Sequence, residues 1–136
     1  MIFTVKNQTR LTESVYRLTL TGDTSAIVRP GQFVQLQLPG FYLRRPISVC
    51  DWDADTLTLI YKVVGEGTKA MTALQPGAAL DLLTGLGNGF DTACCGDKPL
   101  LVGGGVGLPP LYGLCKTLLR EGKHPRVVMG FNTASE

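Results

Sequence analysis

The run Gly103-Gly104-Gly105-Val106-Gly107-Leu108-Pro109-Pro110 constrains this chain more than any other part of it. It follows a short apolar stretch, Leu100-Leu101-Val102, that reads as a buried strand. Beyond it Leu111, Leu114, Cys115, Leu118 and Leu119 recur at the spacing of one apolar helix face. Pro109-Pro110 marks the helix start and Gly122 its end, and Val127 to Phe131 reads as a second buried strand. Strand, glycine turn, helix and strand together predict the opening of a parallel α/β nucleotide-binding unit. The run is G-x-G-x-G-x-x-P rather than GxGxxG, but its physics is similar: glycines let a dinucleotide come close to the backbone where a helix begins. A plain strand-to-helix turn does not need four glycines in five positions.

Upstream the pattern is different. Short β-rich runs cover Phe3 and Val5, Val15 to Leu20, Gln32 to Leu38, Ile47 to Cys50, Leu57 to Val64 and Ala79 to Leu83. Turn signals such as Thr21-Gly22-Asp23, Arg29-Pro30-Gly31 and Pro39-Gly40 separate them. Thr68 to Leu74 is a short helix candidate ending at Pro76-Gly77. About six strands at this spacing predict a small antiparallel barrel or sandwich. The predicted division is residues 1–95 for the barrel and 96–136 for the N-terminal part of the α/β domain. Two parallel strands and one helix leave sheet edges and a face bare, so the second domain is expected to be incomplete.

Composition narrows the function. With 44% hydrophobic and 18% charged residues the 136-residue chain is expected to be globular and soluble. A net charge of +2 is too balanced for a nucleic-acid or membrane-surface binder. The longest uncharged run, Pro99 to Cys115, is interrupted by glycines and prolines and does not read as a membrane span. The N-terminus lacks the order of a signal peptide, so the expected location is cytoplasmic. Cys50, Cys94, Cys95 and Cys115 form no CxxC, and His124 is the only histidine, so no metal ligand set is expected. The cysteines are expected to be small, mostly buried thiols.

Two further segments carry chemistry. In Arg44-Arg45-Pro46-Ile47-Ser48 a guanidinium can grip a pyrophosphate in bidentate fashion, and the serine offers a hydroxyl and a backbone N–H. An ordinary charged loop entering a strand has the same appearance. In Tyr61-Lys62-Val63-Val64-Gly65-Glu66-Gly67-Thr68 a strand runs into a glycine turn opening a helix, a phosphate-site pattern that a plain β-to-helix turn also matches.

Taken in order, these segments and Gly85-Leu86-Gly87-Asn88-Gly89-Phe90 resemble the ferredoxin–NADP reductase superfamily across essentially the whole chain. Within it they look most like the electron-transfer subunits of NAD-linked dihydroorotate dehydrogenases. The resemblance implies a Greek-key FAD-binding barrel followed by an NAD(H)-binding α/β domain. It implies that Arg45, Pro46, Ile47 and Ser48 line the flavin and its pyrophosphate, with Ser48 near the reactive ring nitrogen. Ile60, Tyr61 and Lys62 match the next flavin-lining strand, and Gly67 and Thr68 the phosphate turn. Gly103, Gly104, Gly105, Gly107, Pro109 and Pro110 match the nicotinamide-dinucleotide loop. The implied activity is electron transfer between NAD(H) and the FMN-containing catalytic subunit of a hetero-oligomer, in pyrimidine biosynthesis. A [2Fe-2S] centre is implied for a full-length form only, since its cysteine cluster is not among these residues. No residue of the chain is expected to act as an acid, a base or a metal ligand.

Two alternatives stay open. The same motifs fit an electron-transfer subunit serving a hydrogenase or a sulfide- or glutamate-synthase-linked oxidoreductase. From a different class, the chain fits a docking module that has lost flavin. Elsewhere the sequence reads plainly: Trp52 caps a hairpin, the acidic turn Asp51 to Asp55 is solvated, and His124 lies on the surface.

Overall fold

The computed structural model describes residues 1–136. Its barrel strands are β1 (Ile2–Arg10), β2 (Val15–Thr21), β3 (Phe33–Gln37), β4 (Arg45–Trp52), β5 (Thr56–Lys62) and β6 (Ala79–Leu86). They close in the order β1-β2-β5-β4-β3-β6 with antiparallel pairing throughout. Strands β3, β4 and β5 are sequential neighbours, and β6 returns to lie beside β3, which is a Greek key. The six strand runs expected from the sequence are all present, β1 extending further than its two apolar residues suggested.

Alternation along these strands builds the barrel interior. Phe3, Val5, Leu18, Leu20, Val34 and Leu36 are among 15 buried side chains filling it, while their strand neighbours face outward. At the β4–β5 hairpin Trp52 pairs with Leu57 and packs on this core. The carboxylate of Asp53 accepts the backbone N–H groups of Thr56 at 2.8 Å and Asp55 at 3.2 Å, so the acidic turn is stitched by one of its own residues. Helix α1 (Glu66–Met71) is shorter than the expected Thr68–Leu74. Its last turn tightens into N–H bonds three residues back, Ala73 to Ala70 and Leu74 to Met71, which lay Leu74 on the barrel core.

Strand β7 (Leu100–Gly104) and strand β8 (Arg126–Gly130) form a parallel pair joined by α2 (Leu108–Arg120). Gly103 and Gly104 differ from expectation here. They continue β7, paired with Met129 and Gly130, and only Gly105–Gly107 turns, as a single 3₁₀ turn. Leu101, Leu114 and Leu118 form the small core of this unit. This core is small for its unit, and α2 takes much of its remaining cover from the barrel. Helix α2 lies so close to β4 that a Cβ on Gly113 would stand 2.8 Å from the carbonyl oxygen of Cys50. Lys116 grips Asp51 at 2.8 and 2.9 Å. The other face of the sheet is bare, with Leu100, Val102 and Val128 exposed.

The expectation for the cysteines fails in part. Only Cys50 is buried; Cys94 is exposed, and Cys95 and Cys115 are half-buried. Cys94 and Cys95 fall in the connector between barrel and α/β unit, where Cys95 packs on the edge of the small Leu101–Leu114–Leu118 core and Cys94 stays outside it. His124 is exposed in the turn before β8. No helix is long and apolar enough to cross a membrane.

Candidate functional site

The barrel is closed, yet one of its ladders opens. Strands β4 and β5 pair at Trp52–Leu57, Asp51–Thr58 and Val49–Leu59, and then part. From there Arg45, Pro46, Ile47 and Ser48 pair only with β3, at Leu36, Gln35, Val34 and Phe33. Ile60, Tyr61 and Lys62 pair only with β2, at Arg17, Tyr16 and Val15. The two segments singled out in the sequence thus face each other across a seam without pairing to one another. A flat ligand with donors and acceptors on its rim fits such an edge.

Side chains on the seam alternate. Ile60 and Lys62 point outward, whereas Tyr61 is buried. The Tyr61 hydroxyl donates to Oε1 of Gln8 at 2.7 Å and its ring stacks on Tyr16 with centroids 5.8 Å apart. Burial pushes its ionisation above the usual tyrosine range, with Tyr16 adding to the shift. Only the main chain of Tyr61 is left for a ligand in the seam. On β4, Pro46 and Ser48 are exposed and Ile47 packs against the barrel core.

The paired arginines have different surroundings. Arg44 donates to the carboxylate of Asp81 at 2.7 Å and to its carbonyl at 3.1 Å, tying the β4 entry to β6. The terminal ammonium, first, and Arg44 hold the Asp81 carboxyl below its usual range. Arg45 is tied by one hydrogen bond only, from Nη1 to the carbonyl of Leu43. Its guanidinium lies over the Phe41 ring, 5.0 Å from the centroid, and against Gly67. A Cβ on Gly67 would stand 2.0 Å from Nε of Arg45, so this cradle exists because residue 67 has no side chain. The hydroxyl of Thr68 accepts the N–H groups of Val64 and Gly65 at 2.9 and 3.1 Å. It locks the turn that presents Gly67, and its oxygen is fully occupied doing so.

The glycine run divides its roles. Gly103 admits α2, since a Cβ there would meet Leu111 at 2.7 Å and Leu108 at 2.9 Å. Gly105 takes φ +51°, and Gly107 has φ −76° with open space around it. The N–H of Leu108 is bonded to the carbonyl of Gly105, and Pro109 and Pro110 have none. The first turn of α2 thus offers a closed apolar corner instead of a row of donors.

Between this corner and the outer barrel face lies a groove of about 750 Å³. Ile60, Lys62, Gly105 and Pro109 line it together with Arg17 and Tyr112. It joins one flavin-strand candidate to the dinucleotide-loop candidate; Arg45 to Ser48, Gly67 and Thr68 do not line it. Sequence reasoning missed Phe41, Gln8 and the Asp51–Lys116 bridge. The only sequence signal near Phe41 is its place just after Pro39-Gly40, and nothing local links Gln8 to Tyr61, 53 residues away.

The closed Greek-key barrel joined to a glycine-cornered parallel unit is a fold the chain shares with ferredoxin reductase-like proteins. No family model matches the chain. Its curated relatives include the electron transfer subunit of dihydroorotate dehydrogenase B (NAD(+)) from Listeria monocytogenes, 41% identical over 97% of this chain and 54% of the relative. The corresponding subunit from Bacillus caldolyticus is 43% identical over 96% of this chain and 54% of its own length. The chain spans about half the length of these relatives. Among solved structures, an NADH-dependent reduced ferredoxin-NADP oxidoreductase superposes with TM-score 0.86 at 28% identity, covering 99% of this chain and 50% of that one. The ferredoxin reductase of carbazole 1,9a-dioxygenase gives TM-score 0.87 at 26% identity, covering 99% and 43%.

Proposed function

We propose that the barrel holds FAD and that the chain is part of an electron-transfer subunit working between NAD(H) and a partner oxidoreductase. The carrying observation is the opened β4–β5 ladder, whose facing segments are Arg45–Ser48 and Ile60–Lys62. The cradle at Gly67 fits the group independently: a guanidinium with unused donors rests against a glycine where an anionic pyrophosphate needs both charge and close approach.

In this reading the main chain of Ile60 to Lys62 and of Ile47 and Ser48 orients the isoalloxazine rim, with the Ser48 hydroxyl at its reactive edge. Arg45 holds the pyrophosphate beside Gly67, while Thr68 keeps the turn in shape. The corner formed by Gly103, Gly104, Gly105, Gly107, Pro109 and Pro110 receives the nicotinamide dinucleotide across the groove from Ile60 and Lys62. When bound, FAD supplies the exchange between two-electron hydride chemistry and single-electron transfer. The protein's task is to stack rings, exclude water and bias the flavin by hydrogen bonds, which needs no acid–base pair. The barrel, residues 1–95, carries the flavin, and residues 96–136 contribute the first part of the dinucleotide domain.

The partner we assign is the catalytic subunit of a cytoplasmic dihydroorotate dehydrogenase, because the relatives at 41–43% identity bear the name of its electron transfer subunit. The [2Fe-2S] relay belongs, in this proposal, to the half of the relatives' length that these residues do not span. A docking module without flavin is the rival reading. Titrating the chain with FAD while recording visible absorbance and flavin fluorescence separates them. Saturable binding with a perturbed flavin spectrum is expected; unaltered free-flavin spectra at all protein concentrations would refute the assignment.

A further inference from the structure

Strand β1 changes faces part-way along. Phe3 and Val5 point into the barrel, and strict alternation would send Asn7 after them. The pairing with β2 slips between Val5 and Asn7, and this bulge reverses the parity. Asn7 is exposed, and Gln8 turns inward, half-buried, toward the Tyr61 side chain. There both ends of its amide are engaged. Oε1 accepts the Tyr61 hydroxyl at 2.7 Å, while Nε2 donates to the carbonyls of Met71 at 3.0 Å and Thr72 at 3.3 Å and lies 3.5 Å from that of Leu74. These carbonyls stand at the C-terminal end of α1, where a helix runs short of partners of its own. Reversing the amide would set its oxygen against three oxygens, so its orientation is fixed.

The two elements that Gln8 joins carry the two halves of the candidate site. Tyr61 is the middle of Ile60–Lys62, whose main chain edges the seam. Helix α1 carries Gly67, against which the Arg45 guanidinium rests. Met71 and Leu74 hold α1 to the barrel core through apolar contacts, which have no direction. Gln8 supplies the only hydrogen bonds that run from a barrel strand to residues 66–74. An apolar side chain could fill the same space; the amide adds direction. We propose that Gln8 is a positioning residue, a strut that fixes Gly67 on α1 relative to the β5 edge of the seam so that one ligand reaches both. The inference rests on the flavin reading above and adds to it the residue that sets the spacing between ring and phosphate contacts. A ligand tied at two places gains affinity from their spacing as well as from each contact. Gln8 itself touches neither place and acts through Tyr61 and α1.

The test compares FAD, which carries ring and diphosphate, with lumiflavin, which carries the ring alone, in fluorescence titrations below the melting transition. Gln8→Met keeps the length and packing of the side chain and loses its hydrogen bonds. It is expected to weaken FAD by about fivefold or more and lumiflavin by less than about twofold, because only the spacing is lost. On a Gly67→Ala background, where the cradle is already disturbed, Gln8→Met is expected to cost FAD less than about twofold more. Tyr61→Phe keeps its ring, cuts one end of the strut, and is expected to weaken FAD in the same direction, which serves if Gln8→Met folds poorly. Equal losses for FAD and lumiflavin, or full additivity with Gly67→Ala, would overturn the proposal. So would a lowered melting temperature with unaltered FAD affinity, which would make Gln8 a residue of the fold only. If the parent binds FAD no more tightly than lumiflavin, the strut falls while the seam stands. If it binds neither, both readings fall.

Discussion

Replacing Gly67 by alanine isolates the cradle from the rest of the barrel. The new methyl would stand 2.0 Å from Nε, 2.6 Å from Cζ and 2.8 Å from Nη2 of Arg45, more than an ångström inside ordinary contact at its nearest point. Something must move. The neighbour is the far end of a flexible, half-exposed side chain, so Arg45 swings away and the backbone stays. Stability is expected to hold or rise slightly, since alanine for glycine within α1 gains up to about 1 kcal/mol of helix propensity. Cofactor affinity is expected to fall, because the displaced guanidinium gives up a charge-assisted hydrogen bond worth about 1.5–3 kcal/mol. That corresponds to roughly a tenfold to hundredfold weaker FAD. The assay is a double-mutant cycle in FAD titration with Gly67→Ala, Arg45→Ala and both together. If the cradle works only through Arg45, the second substitution adds almost nothing to the first. Full additivity, or unaltered FAD affinity in Gly67→Ala, would refute the reasoning.

The two arginines are expected to separate by assay. Arg45→Ala should lower FAD affinity roughly as far as Gly67→Ala and leave the ligand-free melting temperature near the parent's; Arg44→Ala should lower that melting temperature by a few degrees, having lost the Asp81 tie, and spare FAD affinity. Equal FAD content in the two purified variants would sink the distinction. In a longer form carrying a complete dinucleotide domain, Gly107→Val should slow NADH-driven flavin bleaching without loss of flavin, since Gly107 has an ordinary φ and free space. Gly105→Val is the poorer probe, because φ +51° strains any β-branched residue. Flavin loss from Gly107→Val would make the loop structural instead. Alkaline stability has a defined sign: burial first, then the Asp51 charge, pushes the Cys50 thiol up to about 11 from its ordinary 9.0. The unfolded chain releases this proton from about pH 9 while the native one retains it, so stability should be level below pH 9 and fall toward pH 11. Cys50→Ala should delay the onset of that fall toward the range where tyrosine ionises, and an unchanged melting profile from pH 8 to 11 in the parent would contradict it.

The sequence by itself determined the order of elements, because strand alternation, the helical spacing of Leu111 to Leu119 and the glycine punctuation are local properties of a chain. It also singled out Arg44–Ser48 and Tyr61–Thr68, since a charged entry to a strand and a glycine turn before a helix are written in consecutive residues, while Ile60–Lys62 entered as a lining strand through the family resemblance. Tertiary structure alone decided what those segments do toward one another. That Arg45 rather than Arg44 rests on residue 67 depends on how β4 meets α1, 22 positions later in the chain. That Tyr61 turns inward to Gln8 while Ile60 and Lys62 face the groove depends on which face of β5 the closed barrel buries. The opening of the β4–β5 ladder past Val49 and Leu59 is a property of two strands and their outer neighbours together. Periodicity records which side of a residue is covered. It carries no record of what covers it, and a site assembled from distant residues is set when the barrel closes.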